Sequence, residues 1–168
     1  MKDELKSIFL NVNEWLKFAE AKNAGLLVLN SGVIFGILTI YKDYQHSLPK
    51  TIILLALIFF GLSMLLSIIS LFPRTHNILP KQKKFKNPNL YFAGHLCKLD
   101  INDFKTELFK IHTTHIFDKF EEDLLNQIIV NATITTRKYH FFKFAAISTA
   151  IGFIIPLTTL IIKIICHC

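Results

Sequence analysis

Three groups of polar residues flank the apolar runs of this chain, and their types suit the recognition of a small anionic ring compound. Glu20, Lys22 and Asn23 precede the run 24–40, Arg74 follows the run 51–72, and Arg137, Lys138 and Tyr139 precede the run 144–162. If the runs pack side by side in a membrane, all three groups lie at one depth. Arginine and lysine donate charge-assisted hydrogen bonds to a phosphate, an aromatic ring stacks on a base, and an amide or carboxylate reads polar base edges. Tyr91 offers a further ring. The plainer reading is that basic residues and tyrosine anchor helices at the membrane surface. It leaves Glu20 and Asn23 unexplained, because an acid beside anionic headgroups needs a cationic partner. The candidate ligand-binding set is therefore Glu20, Lys22, Asn23, Arg74, Tyr91, Arg137, Lys138 and Tyr139.

Other chemistry is poorly served. There is no glycine-rich phosphate loop, no HExxH, no GxSxG and no paired-carboxylate motif, so no enzymatic activity is expected. His112 and His115 share a helical face with Asp118 one turn on, but no further ligand completes a metal site. The acid run Glu121, Glu122, Asp123 reads as a solvated face. Cys97, Cys166 and Cys168 are odd in number and form no CxxC pair, which implies neither a disulfide framework nor a zinc ribbon. Cys166-His167-Cys168 reads as an unstructured tail. Neither a metal nor a cofactor is expected.

The elements that must position the candidate set are set by the apolar runs. Thr51 to Phe72 carries no charge, and as a helix it slightly exceeds the roughly 30 Å hydrocarbon core of a bilayer. A chain of 168 residues has too little core to surround a helix that is apolar on every face. Ala24 to Ile40 is interrupted only by Asn30 and Ser31, and Phe144 to Ile162 by Pro156. The first run lies too deep for a secretory signal peptide and reads as a retained span. Hydrophobic residues make up 52% of the chain, mean hydropathy is +0.43 and the pI is near 9.4. The net charge of +7 concentrates between Arg74 and His140, whereas 41–50 offers only Lys42 and Lys50. Basic residues stay in the cytoplasm, so the N-terminus and the long loop are expected inside and the C-terminus outside.

Helical spacing extends beyond the spans. Leu5, Ile8, Phe9, Val12, Trp15, Leu16 and Ala19 form one apolar stripe, and no breaker separates it from Ala24. A single rod running into the first span is expected. A short turn closed by Pro49 makes a hairpin of the first two spans, and Pro73 ends the second. Residues 74–89 read as an irregular basic linker with affinity for anionic headgroups. Asn102 or Asp103 is expected to cap a helix starting near Phe104, with an apolar stripe through Leu108, Ile111, Phe117, Phe120, Leu124 and Ile128. The last part should run without a break through Arg137 into the third span. The expected fold is an all-α membrane protein with three transmembrane helices, the long ones extending into a small cytoplasmic helical unit. Its parts are a cytoplasmic amphipathic helix (1–23), a transmembrane hairpin (24–73, spans about 24–41 and 51–72), a cytoplasmic linker with helices (74–140), and a third span with a short external tail (141–168). Asn30, Ser31, Ser63, Ser67 and Ser70 are the polar positions of the spans, suited to contacts between copies.

Four stretches together resemble a known family. They are WLKFAEAKNAGLLVLNSGVIFG (Trp15 to Gly36), LFPR (Leu71 to Arg74), NLYFAGHLCKLD (Asn89 to Asp100) and EEDLLNQIIVNATITTRKY (Glu121 to Tyr139). In the same order around three spans, they resemble the membrane effectors of Pycsar antiphage systems. Those effectors show an E/AKN motif at the first span, a following P-R, an N-L-x-F-x-G/D-x-x-K-L stretch, and an R-K-Y before the last span. The resemblance implies a sensor without enzymatic activity, located in the bacterial inner membrane. Its ligand would be a cyclic pyrimidine mononucleotide, cyclic CMP or cyclic UMP, made by a neighbouring cyclase on infection. The response would be membrane impairment and abortive infection, with the bilayer as partner, a homo-oligomer as the acting form and no nucleic-acid polymer bound. The alternative from the residues alone is a constitutive structural or scaffolding membrane protein with a lipid-binding basic loop.

Overall fold

A computed structural model describes residues 1–44, 49–72, 87–111 and 116–166, the side chains of 42–44 excepted. Its regular structure is helical: α1 (Lys2–Tyr44), α2 (Lys50–Leu71), α3 (Ala93–Leu96), α4 (Ile101–Phe109) and α5 (Lys119–Cys166). The fold is all-α, and three of its helices are long and apolar enough to cross a membrane.

α1 is one helix of 43 residues. Nothing in its sequence breaks it, and Asp3 and Glu4 in the first turn suit the positive end of its dipole. Pro49, extended at ψ 137°, precedes α2 and costs it nothing, since the first N–H groups of a helix have no intrahelical partner. α2 ends at Phe72, which turns extended at ψ 126° because a following proline disfavours the helical region. α3 is a short turn built on a close approach. The Phe92 ring covers Gly94 so closely that a Cβ there would stand 2.6 Å from it.

α4 begins at Ile101, three residues earlier than its sequence suggests. The cap is Asp100, not Asn102 or Asp103: its extended backbone lets Oδ1 accept from the Asp103 N–H at 2.6 Å. α5 starts with a reciprocal capping pair. Asp118 Oδ1 accepts from the Glu121 N–H (2.9 Å), and Glu121 Oε2 accepts from the Asp118 N–H (3.1 Å). The other Asp118 oxygen meets Lys2 Nζ at 2.6 Å. That hydrogen bond draws the Lys2 ammonium above its ordinary pKa and holds the Asp118 carboxyl below its own. Asp118 is thus engaged at a helix start; His112 and His115 lie outside the described residues, as do 73–86, 167 and 168. α5 then runs 48 residues without interruption, through Arg137 and past an internal Pro156.

The chain divides into two compact units, one of Met1–Glu20 with Pro73–Tyr139 and one of Ala21–Phe72 with His140–Cys168. The first has an ordinary apolar core, in which Leu5, Ile8 and Val12 of α1 meet Leu96, Phe104, Leu108, Leu125 and Ile128. Ile111 and Phe120 do not join it; they are 60% and 57% exposed, and the stripe on α5 runs instead through Leu124, Leu125, Ile128, Ile129 and Ala132. The second unit is turned inside out. Val28, Phe35, Ile58, Leu65 and Ile164 face outward, while Asn23, Asn30, Ser63, Ser67, Ser70, Ser148 and Thr149 are buried. Apolar surface outside and small polar groups between helices are the arrangement that a bilayer selects.

Candidate functional site

In the first unit α1 and α5 lie side by side, and their polar contacts recur one heptad apart. Asn131 Nδ2 donates to Asn13 Oδ1 at 2.8 Å. Seven residues further along each helix, Lys138 Nζ meets Glu20 Oε1 at 3.1 Å. The common seven-residue step shows that these stretches run parallel and present one face to each other. The ring of Trp15, two residues past Asn13, meets that of Tyr139, the residue after Lys138, at 6.2 Å.

The Glu20–Lys138 pair is unlike an ordinary surface ion pair. The Lys138 side chain is almost wholly buried, whereas that of Glu20 is half exposed. A buried ammonium without a carboxylate would carry a large desolvation cost, so Glu20 supplies what the burial of Lys138 demands. Arg137, the residue before it on α5, is half-buried. Four of the expected site residues, Glu20, Arg137, Lys138 and Tyr139, are therefore on the two facing helices of this unit. Trp15, Asn13 and Asn131 join them without having been singled out. The asparagine pairing depends on the register of α1 against α5, which no local pattern in the sequence marks.

The remaining expected residues are placed differently. Tyr91, in the same unit, accepts at its carbonyl from Asn11 Nδ2 at 2.8 Å, and the residue is half exposed. Lys22 and Asn23 belong to the second unit. There the Lys22 ammonium stands 5.4 Å from the centre of the Phe142 ring, and Asn23 is fully buried. Arg74 lies outside the described residues.

The second unit has its own polar constellation. Asn30 Nδ2 donates to Ser63 Oγ (2.8 Å), the Ser63 and Thr149 hydroxyls are 2.8 Å apart, and Thr149 Oγ1 donates to Asn30 Oδ1 (3.0 Å). One residue from each long helix thus contributes to a closed ring of hydrogen bonds. Ser63 is also within 2.8 Å of the Ala145 carbonyl, and Ser148 Oγ donates to the Phe59 carbonyl at 2.8 Å. Asn30 and Ser63, with Ser67 and Ser70, were expected to suit contacts between copies; here they are buried within one chain. Ser31 is exposed and bonds back to its own helix at Leu27.

No curated protein and no solved structure matches the chain. The family model of the Pycsar effector protein domain matches residues 4–165, which takes in every helix from its first turn to its last. A match over this length, on a chain with three helices able to cross a bilayer, carries the identification that the four sequence stretches suggested. The chain belongs to the Pycsar effector family, as a multi-pass membrane protein of antiphage defence and not a member of a known enzyme family.

Proposed function

We propose that this effector senses a cyclic pyrimidine nucleotide, cyclic CMP or cyclic UMP, and responds by impairing the bacterial inner membrane, so that the infected cell dies before phage matures. The observation that carries the reading is the pair of unbroken helices α1 and α5. Each has one stretch in a unit with an ordinary apolar core and another in a unit with an apolar exterior. A ligand that repositions either helix in the first unit acts on a rigid element that is also part of the second.

Within the first unit, the facing helices supply the groups a cyclic nucleotide requires. Arg137 and Lys138 offer charge to the phosphate, and the Trp15–Tyr139 pair offers rings to the base. Lys138 is already paired with Glu20, so a phosphate takes the place of that carboxylate. The exchange leaves Lys138 neutralised and frees Glu20 to accept from the ligand. A single phosphate charge needs one or two charge-assisted hydrogen bonds, each worth about 1.5–3 kcal/mol. Arg137→Ala is accordingly expected to weaken binding about tenfold to a hundredfold and to leave the protein in the membrane. Titration calorimetry on detergent-solubilised protein measures this, and unchanged affinity would move the site elsewhere.

The test of the whole reading is dye release from proteoliposomes as cyclic CMP or cyclic UMP is added. Three helices in contact leave no lumen for a dye, so release requires several copies acting together. Equal release with and without nucleotide would leave a structural role in the membrane as the surviving account. The lysine-rich stretch 81–86 against the sparse 41–50 favours a cytoplasmic N-terminus. A reporter fused after Cys168 should then read as external and one inserted near Lys84 as cytoplasmic; the reverse result would invert the topology.

A further inference from the structure

We propose that the second unit itself contains a path for water and small monovalent ions, closed in this structure by the side chain of Phe60. The proposal builds on the reading that the chain impairs a membrane, and it locates a first permeability within one copy, before any assembly large enough to pass a dye.

The interior of the unit changes character at mid-span. On one side is a polar seam: Asn23 and Asn30 seven residues apart on α1, Ser63, Ser67 and Ser70 at helical spacing on α2, and Ser148 and Thr149 on α5, all buried. From Ser63 to Ser70 the seam follows about 10 Å of helix axis. Helix-to-helix adhesion accounts for the ring of Asn30, Ser63 and Thr149, whose groups satisfy one another. It does not account for Ser67. That residue is wholly buried, and its hydroxyl has no hydrogen-bond partner among the described residues. A buried hydroxyl without a partner is costly, and a water molecule is the group that would satisfy it.

The seam ends at Phe60, one helical turn before Ser63 and the eleventh of the 22 residues of α2. Its ring is buried, meets Phe153 edge-on at 4.9 Å and rests on Gly152. A Cβ at 152 would stand 3.1 Å from the ring, so the glycine is what lets the ring fill the interior at this level.

Beyond the ring the packing opens into an apolar pocket of about 460 Å³, half open to the surface of the unit and lined by Phe60 itself with Val33, Ile37, Ile53, Ala56 and Pro156. It is about three times the roughly 150 Å³ apolar cavity that accommodates benzene, so the Phe60 ring has somewhere to go. α5 is also weakest at this level. Pro156 has no N–H to give to the Gly152 carbonyl, which removes one helical hydrogen bond beside the ring and allows a bend there. Apolar constrictions exclude water by dewetting and admit it when the obstructing side chain withdraws. With Phe60 turned into the cavity, the apolar barrier between cavity and seam is gone. On the seam side the lining then exposed is uncharged hydroxyl and amide, suited to water and small ions of single charge; on the far side the wall stays apolar, so water and ions cross it only while it is wetted.

The experiment measures potassium flux into proteoliposomes carrying the full chain, with a trapped potassium-sensitive dye and no nucleotide. Phe60→Ala should raise the flux at least tenfold over the unmodified chain. Phe35→Ala, which removes the same atoms from a ring that is 73% exposed, should not. Adding Ser67→Val to Phe60→Ala should lower the flux at least threefold, because it makes the seam apolar at its least satisfied point. Phe60→Val replaces Phe60→Ala if the latter does not purify as a single species. Flux in the Phe60 variant as low as in the unmodified chain overturns the proposal. So does a high flux indifferent to Ser67→Val, which would indicate damaged packing instead of a path. The sensing reading stands or falls separately. Nucleotide-evoked leakage with a tight Phe60 variant would keep that reading and discard the path, and the converse result would do the opposite.

Discussion

Inserting Gly-Gly-Pro between Lys22 and Asn23 should abolish nucleotide-evoked leakage while the protein still inserts and still binds its ligand. The insertion falls in the interior of α1, two residues past the last α1 residue of the first unit. Relative to alanine, a helix-interior proline costs about 3 kcal/mol and each glycine about 1, which together approach 5 kcal/mol. Coupling between two sites commonly amounts to about 1–3 kcal/mol, so a rod broken at that cost no longer transmits it. The first unit keeps its packing, and the second gives up only what Ala21 and Lys22 contribute, including the Lys22 contact with the Phe142 ring. α5 crosses the same boundary, and a second break after Tyr139 tests whether it carries any remainder. Proteoliposome leakage and calorimetry on the same preparations decide the matter. Leakage that survives both breaks would show that the helices do not transmit the signal.

Phe104→Ala should melt the first unit selectively. Phe104 is the largest wholly buried side chain of that unit, in a core assembled from α1, α3, α4 and α5. Truncation of a buried phenylalanine costs about 3–5 kcal/mol, a large share of the roughly 5–15 kcal/mol that holds an ordinary domain together. The spans contribute none of this core and should stay in the bilayer. Limited proteolysis of proteoliposomes is the direct measurement. New cleavage should appear within α4 and the first turns of α5, with fragments covering α2 and the end of α5 remaining protected. Retained resistance of α4 would mean that the site collapses around the missing ring.

The rods were legible because continuity of a helix is a local property. Residues 2–44 contain no proline, and Gly25, Gly32 and Gly36 lower helix propensity without stopping the helix. The same holds for α5 across Arg137. Detail was lost where two local readings compete. Asp100, Asn102 and Asp103 are all competent caps, and only the extended backbone at Asp100 decides among them. Ile111 and Phe120 keep helical spacing with buried residues, yet Ile111 stands two residues past the end of α4 and Phe120 in the first turn of α5, and both are exposed. The site followed the same rule. Glu20 and Lys138 were recognisable as types, but their pairing depends on the register of two helices more than a hundred residues apart, which no local pattern encodes. Asn30 and Ser63 would show the same periodicity whether they met within a chain or between chains; three dimensions were needed to place them inside.

The parallel pairing of the first helix with the last also fixes an order of events at the ribosome. Leu5, Ile8 and Val12 are covered in part by Leu125, Ile128 and Ala132, residues made when three-quarters of the chain already exists. Until then the nascent protein is a hairpin of two spans with an uncovered apolar stripe at its head, and the hydrogen-bonded ring still lacks Thr149. Neither the unit to which the proposed sensing is assigned nor the closed bundle can therefore form from a partial product. A prematurely terminated chain has no complete first unit through which a nucleotide signal could reach its spans. For an effector proposed to kill its own cell, late completion would confine the hazard to finished molecules.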